Sequence, residues 1–265
     1  MKLTNRNYFT KKANKTYLSV SQYKDFIGTM GKCGCEEKAL AKLYGHLIEE
    51  PTSAMLLGSY VDSAWENKLR FFIKQHPEMF TKTGALKSEF QKAQKAFERT
   101  KKDKLFSAYM SGQKQVIMTA PLFGAEWKIK MDSFHPDKAI VDLKYVKDIH
   151  ERFWIKDLGY HVNFIENWGY DLQLAIYQLV VEYNTGKKLP CYIAAVDKKE
   201  HPEIELIQVS QDQMEYSLLG IEENVKRILE LKQGKSKPTK CRKCNWCIDT
   251  KILTSPITSD GLIEI

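Results

Sequence analysis

Apolar residues recur at helical spacing through the N-terminal part of the chain. Gly58 to His76, "GSYVDSAWENKLRFFIKQH", sets Val61, Trp65, Leu69, Phe72 and Ile73 on one face of a predicted helix. "LSVSQYKDFIG" reads as a helix start with Ser19 or Ser21 as N-cap, "CEEKALAKLYGHLI" continues as helix, and residues 86–110 form a long charged one. The period then changes to two. "KQVIMTAP", "AEWKIKMD" and "KAIVDLKY" are short, β-branched and bounded by Gly or Pro, as strands are. A helix over 167–183, strands at "PCYIAAVD" and "EIELIQVS", and a closing helix over 211–233 complete the pattern. This order predicts an α/β (α+β) fold with a mixed sheet and a helical N-terminal lobe. One domain is expected over 1–265: a mainly helical part (1–110), a sheet core (111–235) and a cysteine-containing segment (236–265).

Charge narrows the class. The chain of 265 residues carries 41 Lys and Arg against 33 Asp and Glu, a net charge of +8. Residues 82–104 hold eight basic side chains against three acids, and residues 226–243 hold eight against Glu230. Such blocks suit a polyanion such as nucleic acid, or equally a solvated lysine-rich face. No apolar run is long enough to cross a bilayer, and the polar N-terminus lacks the apolar stretch of a signal peptide, so an intracellular protein without membrane association is expected.

Candidate chemistry centres on "MDSFHPDKAIVDLKY". With "HPDK" as a turn centred near Asp137, Asp132 faces Asp142 across an antiparallel pair, Cβ atoms about 4.5–5.5 Å apart. Alternation then puts Ile129, Met131, Val141 and Leu143 on an inward face. Lys128, Lys130, Asp132, Asp142 and Lys144 share an outward polar face. Facing carboxylates repel, and a divalent cation relieves that repulsion; Mg²⁺ is commonly held by one or two carboxylates plus phosphate and water. The Leu143 backbone carbonyl offers a further oxygen, and Lys144 stands ready to orient a water or steady a charged transition state. A surface hairpin with solvated charges would read the same way. One turn apart on a helix, Asp62 and Glu66 point to the same ion, and Gln173 and Tyr177 in "YDLQLAIY" share another helical face.

Gly58, Asp132, Asp142-Leu143-Lys144 and Gln173…Tyr177 together form an ordered set. In it the chain resembles the PD-(D/E)XK nucleases, in the branch of lambda exonuclease, RecE and the RecB nuclease domain, most closely the phage and prophage RecE-type exonucleases. Asp62 stands where many of these have His, and Asp142 where Glu is commoner. The resemblance implies a restriction-endonuclease-like core with the acidic site at a fork between strands. It implies Mg²⁺- or Mn²⁺-dependent hydrolysis of DNA, with Asp132, Asp142 and Asp62 or Glu66 as metal ligands, Lys144 assisting the nucleophile, and Gln173 and Tyr177 positioning the strand. It further implies 5′-to-3′ digestion of double-stranded DNA ends, a single-strand annealing partner of RecT type, a ring-like homo-oligomer, and a phage or prophage gene expressed in the bacterial cytoplasm.

Cysteine spacing adds a second site. Cys241, Cys244 and Cys247 follow C-x₂-C-x₂-C and need a fourth thiolate, offered upstream by Cys33 or Cys35. Cys35 is the expected partner. RecB-like nucleases that tie an N-terminal cysteine to a C-terminal trio around a [4Fe–4S] cluster look similar; zinc or reduced thiols are the alternatives. The same pattern also suits a single-strand-specific nuclease of the CRISPR-adaptation type. A non-catalytic DNA-end-binding protein is the remaining reading.

Overall fold

The computed structural model describes residues 1–256, 258 and 259. Residues 257 and 260–265 of the predicted C-terminal segment lie outside the described residues. The helices before the sheet are α1 (Lys11–Thr16), α2 (Val20–Ile27), α3 (Glu36–Tyr44), α4 (Ser53–Trp65), α5 (Leu69–Gln75), α6 (Ser88–Lys102) and α7 (Lys104–Tyr109). A ribbon of β1 (Gly28–Thr29) and β2 (Lys32–Cys33) separates α2 from α3. Then come β3 (Val116–Leu122), β4 (Ala125–Met131), β5 (Ser133–His135), β6 (Ala139–Val146) and a second ribbon, β7 (Phe153–Ile155) with β8 (Tyr160–Val162). Helices α8 (Phe164–Asn167) and α9 (Tyr170–Thr185), strands β9 (Cys191–Asp197) and β10 (Ile204–Gln208), and helices α10 (Gln211–Ser217), α11 (Ile221–Lys232) and α12 (Asn245–Asp249) follow.

Helices predicted as continuous are interrupted where the backbone turns left-handed. Asn67 (φ 58°) separates α4 from α5, and Gly220 (φ 75°) separates α10 from α11. Gly28 (φ 94°) ends α2; a Cβ there would lie 2.6 Å from the Gly34 nitrogen, so only glycine fits. Ser19 is the N-cap of α2: its Oγ accepts from the Gln22 N–H at 3.3 Å.

The central sheet is mixed, in the order β10-β9-β6-β5, with β6 and β9 parallel and the outer pairs antiparallel. Strands β3 and β4 form an antiparallel hairpin that runs into β5 through a bend at Asp132. Helix α9 covers one face with Trp127, Ile129, Met131, Ile140, Ile176 and Ile193 in its core; α4 and α6 cover the other, over Val141, Leu143 and Ala194.

This corrects the expected sidedness. Ile129 and Met131 pack on the α9 side, Val141 and Leu143 on the α4 side, because the bend at Asp132 lies between them. Nor is the polar set turned to solvent. Lys128 is buried, its ammonium held by the Tyr8 carbonyl and by Asn14 Oδ1 at 2.6 Å. A strand covered on both faces cannot show the alternation of a half-solvated one, which is why "AIVDLKYV" is almost wholly apolar apart from two site residues.

Candidate active site

The β5–β6 register pairs Ser133 with Val141, Phe134 with Ile140 and His135 with Ala139, around a turn in which Asp137 has φ 62°. Extended by one step, it sets Asp132 opposite Asp142, as the sequence predicts. The ladder stops there because β4 turns away to pair with β3, Met131 against Val116. The Leu143 N–H therefore has no strand partner at that edge and donates to Asp132 Oδ2 at 3.0 Å. Gln115 Nε2 donates to Asp132 Oδ1 at 3.2 Å. In an extended strand the N–H and C=O of one residue point the same way, so the Leu143 carbonyl faces this fork too.

Asp142 is buried at 3% exposure, on the α9 side of the sheet. Gln173 Nε2 donates to its Oδ1 at 2.7 Å, and the Lys144 ammonium pairs with its Oδ2. Lys144 also lies 4.5 Å from the centre of the Tyr170 ring. Burial alone would lower the Lys144 pKa, but the Asp142 carboxylate outweighs it and holds the ammonium above the ordinary lysine range.

From the opposite face α4 brings Asp62 to the fork. Asp62, Glu66, Lys114, Gln115, Asp132 and Leu143 line a small crevice between α4 and the sheet. Burial, then the Asp132 carboxylate, raises the Asp62 pKa well above the usual range. Asp132 is pushed up to about 6 by burial and then by Asp142. Glu66, one turn on, is ion-paired with Lys68 at 2.7 Å.

The fork adjoins two clefts. One, of about 580 Å³, is lined by Phe9, Asp62, Glu66, Gln115, Lys130 and Asp132. The other, of about 730 Å³, is lined by Ser19, Ser21, Lys24, Lys128, Gln173 and Tyr177 among others. Gln173 and Tyr177 line this cleft, and their polar groups are engaged within the protein. Gln173 holds Asp142, and the Tyr177 hydroxyl donates to the Lys130 carbonyl at 3.2 Å.

Three residues were not singled out in the sequence. Gln115 has φ 54° and reaches Asp132 from the residue before β3. Tyr170 lies one turn before Gln173, a spacing that could have found it. Lys24 shares the Tyr170 ring at 5.2 Å, and burial, then Lys144, lowers its pKa to about 7; no local pattern marks it.

The residues fit a hard divalent cation. Asp62, Asp132 and Asp142 bring three carboxyls to one fork, Asp142 Oδ2 lies against the Lys144 ammonium, and burial with neighbouring carboxylates makes Asp62 and Asp132 resist ionising. The oxygens of Asp62, Asp132 and Asp142 do not form a closed set. Among the described residues, ligand atoms converge within 4.8 Å only at Cys35, Cys241, Cys244 and Cys247 and at Asp148, Asp197 and Glu203. In the second group the Lys199 ammonium already contacts all three carboxylates, at 2.9, 3.0 and 2.8 Å. The cysteine group is the predicted one, with Cys35 as the fourth thiol; Cys33 is exposed.

Residues 19–250 match the family described as "PDDEXK-like domain of unknown function (DUF3799)". The chain belongs to this PDDEXK-like family. Its fork, sheet order and flanking helices are the PD-(D/E)XK nuclease architecture expected from the sequence. A crystal structure of a protein from Eubacterium rectale, described as a "putative exonuclease", is 47% identical and covers 99% of this chain and 98% of its own, with a TM-score of 0.96. No curated protein matches the sequence. Among the described residues no helix is long and apolar enough to cross a membrane.

Proposed function

We propose that this PDDEXK-like protein is a Mg²⁺- or Mn²⁺-dependent exodeoxyribonuclease acting at the ends of double-stranded DNA. The carrying observation is the fork itself: Asp132, pinned by Leu143 and Gln115, stands by Asp142 and Asp62, with Lys144 against Asp142. A divalent cation bound there would supply Lewis acidity to a phosphodiester oxygen and lower the pKa of an attacking water.

Asp132, Asp142 and Asp62 are the proposed ligands, with the Leu143 carbonyl. Glu66 is the outer acid, since it is paired with Lys68. Gln173 fixes the rotamer of Asp142. Lys144, which lies against Asp142, would be placed to orient the attacking water and to balance charge on the phosphate. Tyr177, buried and anchored through its hydroxyl, backs the larger cleft and would position the strand there, with Lys24 beside it as a titratable amine.

The exonuclease reading draws support from the name given to the Eubacterium rectale protein. The 5′-to-3′ polarity, the 3′ single strands handed to a RecT-type annealing partner in phage recombination, and a ring-like homo-oligomer rest on the RecE-type resemblance. Two side chains of the second basic block are already engaged within the protein. Arg227 is bound to Glu36 and Lys232 to the Asn14 and Tyr17 carbonyls, so both hold the fold together.

Linear duplex DNA labelled at either end, and the matching single strand, tests the reading. With Mg²⁺ the 5′ label should be released early from duplex only, and not at all in EDTA. Preferential degradation of the single strand would instead favour the single-strand nuclease. Equal inactivity of wild type and Asp142→Ala, with both binding DNA, would favour an end-binding protein.

A further inference from the structure

The four converging cysteines lie apart from the fork, and their spacing distinguishes between the metal centres that thiolates hold. Cys35 and Cys247 are 3.5 Å apart at sulfur, Cys241 and Cys247 are 3.9 Å apart, and all four sulfurs lie within 4.8 Å of one another. The shortest of these exceeds a disulfide bond of about 2.05 Å. Around one zinc ion, with Zn–S near 2.3 Å, a tetrahedron sets neighbouring sulfurs about 3.8 Å apart. In a [4Fe–4S] cubane each thiolate binds a different iron corner, which holds the sulfurs roughly 6 Å apart. The observed group is too tight for a cubane and closer to the spacing around one ion.

Local structure agrees. Arg242 has φ 60°, an uncommon conformation for a residue other than glycine. This knuckle brings the Cys244 N–H onto Cys241 Sγ at 3.3 Å. Cys35 is buried just before α3, and Cys247 is buried in α12. Four thiolates around a dication leave a doubly negative centre, and Lys38 and Lys243 line the cavity beside it together with Cys35 and Cys244. Cys33 is exposed and is not among the converging sulfurs.

We infer that Cys35, Cys241, Cys244 and Cys247 form a structural zinc site that clips the C-terminal segment to the start of α3, in place of the iron–sulfur cluster implied by resemblance. The clip acts beside a second fastening. The Arg227 guanidinium donates to both Glu36 carboxylate oxygens at 2.9 and 2.8 Å, and Thr239 N–H donates to Glu36 at 2.7 Å. Helix α3 packs on α2, which carries Ser19 and Lys24 into the larger cleft. The zinc site therefore braces a wall of the cleft without entering it, and its existence is independent of the nuclease reading.

Elemental analysis of the full-length protein, purified without oxygen from cells supplied with both iron and zinc, tests the inference. About one zinc per chain is expected, with negligible iron and acid-labile sulfide and no visible absorption. Cys244→Ser should lose the zinc and Cys33→Ser should keep it. In case Cys244→Ser does not fold, the wild type supplies a second measurement: a mercurial thiol reagent should release zinc to a chromogenic chelator in step with modification of four thiols. About four irons and four sulfides per chain would overturn the inference. So would a protein with neither metal, or thiols that react with no zinc released.

Discussion

At the scale of single residues the site rests on unequal partners. Asp142 is engaged by Lys144 and Gln173, whereas burial makes Asp62 and Asp132 resist ionisation, with Asp132 adding to the effect on Asp62 and Asp142 to that on Asp132. Lys144→Ala is expected to lower kcat by about 10²–10³ while leaving DNA affinity near wild type, measured with duplex DNA and Mg²⁺. A loss of affinity with kcat unchanged would remove Lys144 from the chemistry. Asp132 gives a pH dependence. Its pKa rises from the usual 3.8 to about 6, so the metal-free folded chain holds a proton that the unfolded chain releases. This group's contribution to stability therefore falls as pH rises from about 4 to about 6. A divalent ion replaces that proton, so the Tm gain on adding Mg²⁺ should grow across the same window and level off above it. A gain independent of pH would contradict the assignment. The Asp132–Asp142 juxtaposition was legible because a short turn fixes both residues. The Gln173 contact was not, because it spans β6 to α9 and no local pattern encodes it.

At the scale of elements, the decisive feature is β4 leaving β6 to pair with β3, which frees the Leu143 N–H for Asp132. The turn at Asp137 and the β-branched runs announced the strands. The sidedness was misread because alternation presumes a solvated face, and α4 and α9 cover both faces of β6. Short interruptions such as β1–β2 and Gly220 also escaped notice, since single residues turn the chain within otherwise periodic stretches. The β1–β2 ribbon carries its own prediction. A Cβ on Gly34 would sit 2.3 Å from the Ile27 carbonyl carbon and 2.4 Å from the Gly28 nitrogen. Gly34→Ala should destabilise the protein by roughly 1–3 kcal/mol in denaturant titration. A neutral effect would mean that the ribbon yields freely.

At the scale of the molecule, the two proposed metal sites lie in separate regions: hard oxygens at the strand fork and soft sulfurs where the C-terminal segment meets α3. The family was legible because the acids, the lysine and the Gln–Tyr pair keep their order along the chain, and the match over residues 19–250 agrees. The choice between one zinc and a cubane was not, since C-x₂-C-x₂-C serves both and only the sulfur separations tell them apart. Soaking crystals in Mn²⁺ and measuring the anomalous difference signal tests the central claim most directly. A peak beside Asp132 and Asp142, with the Lys144 ammonium moved off Asp142 and the peak absent from Asp142→Asn crystals, is the predicted result. Bare acids with the Lys144–Asp142 pair intact at saturating Mn²⁺ would contradict it.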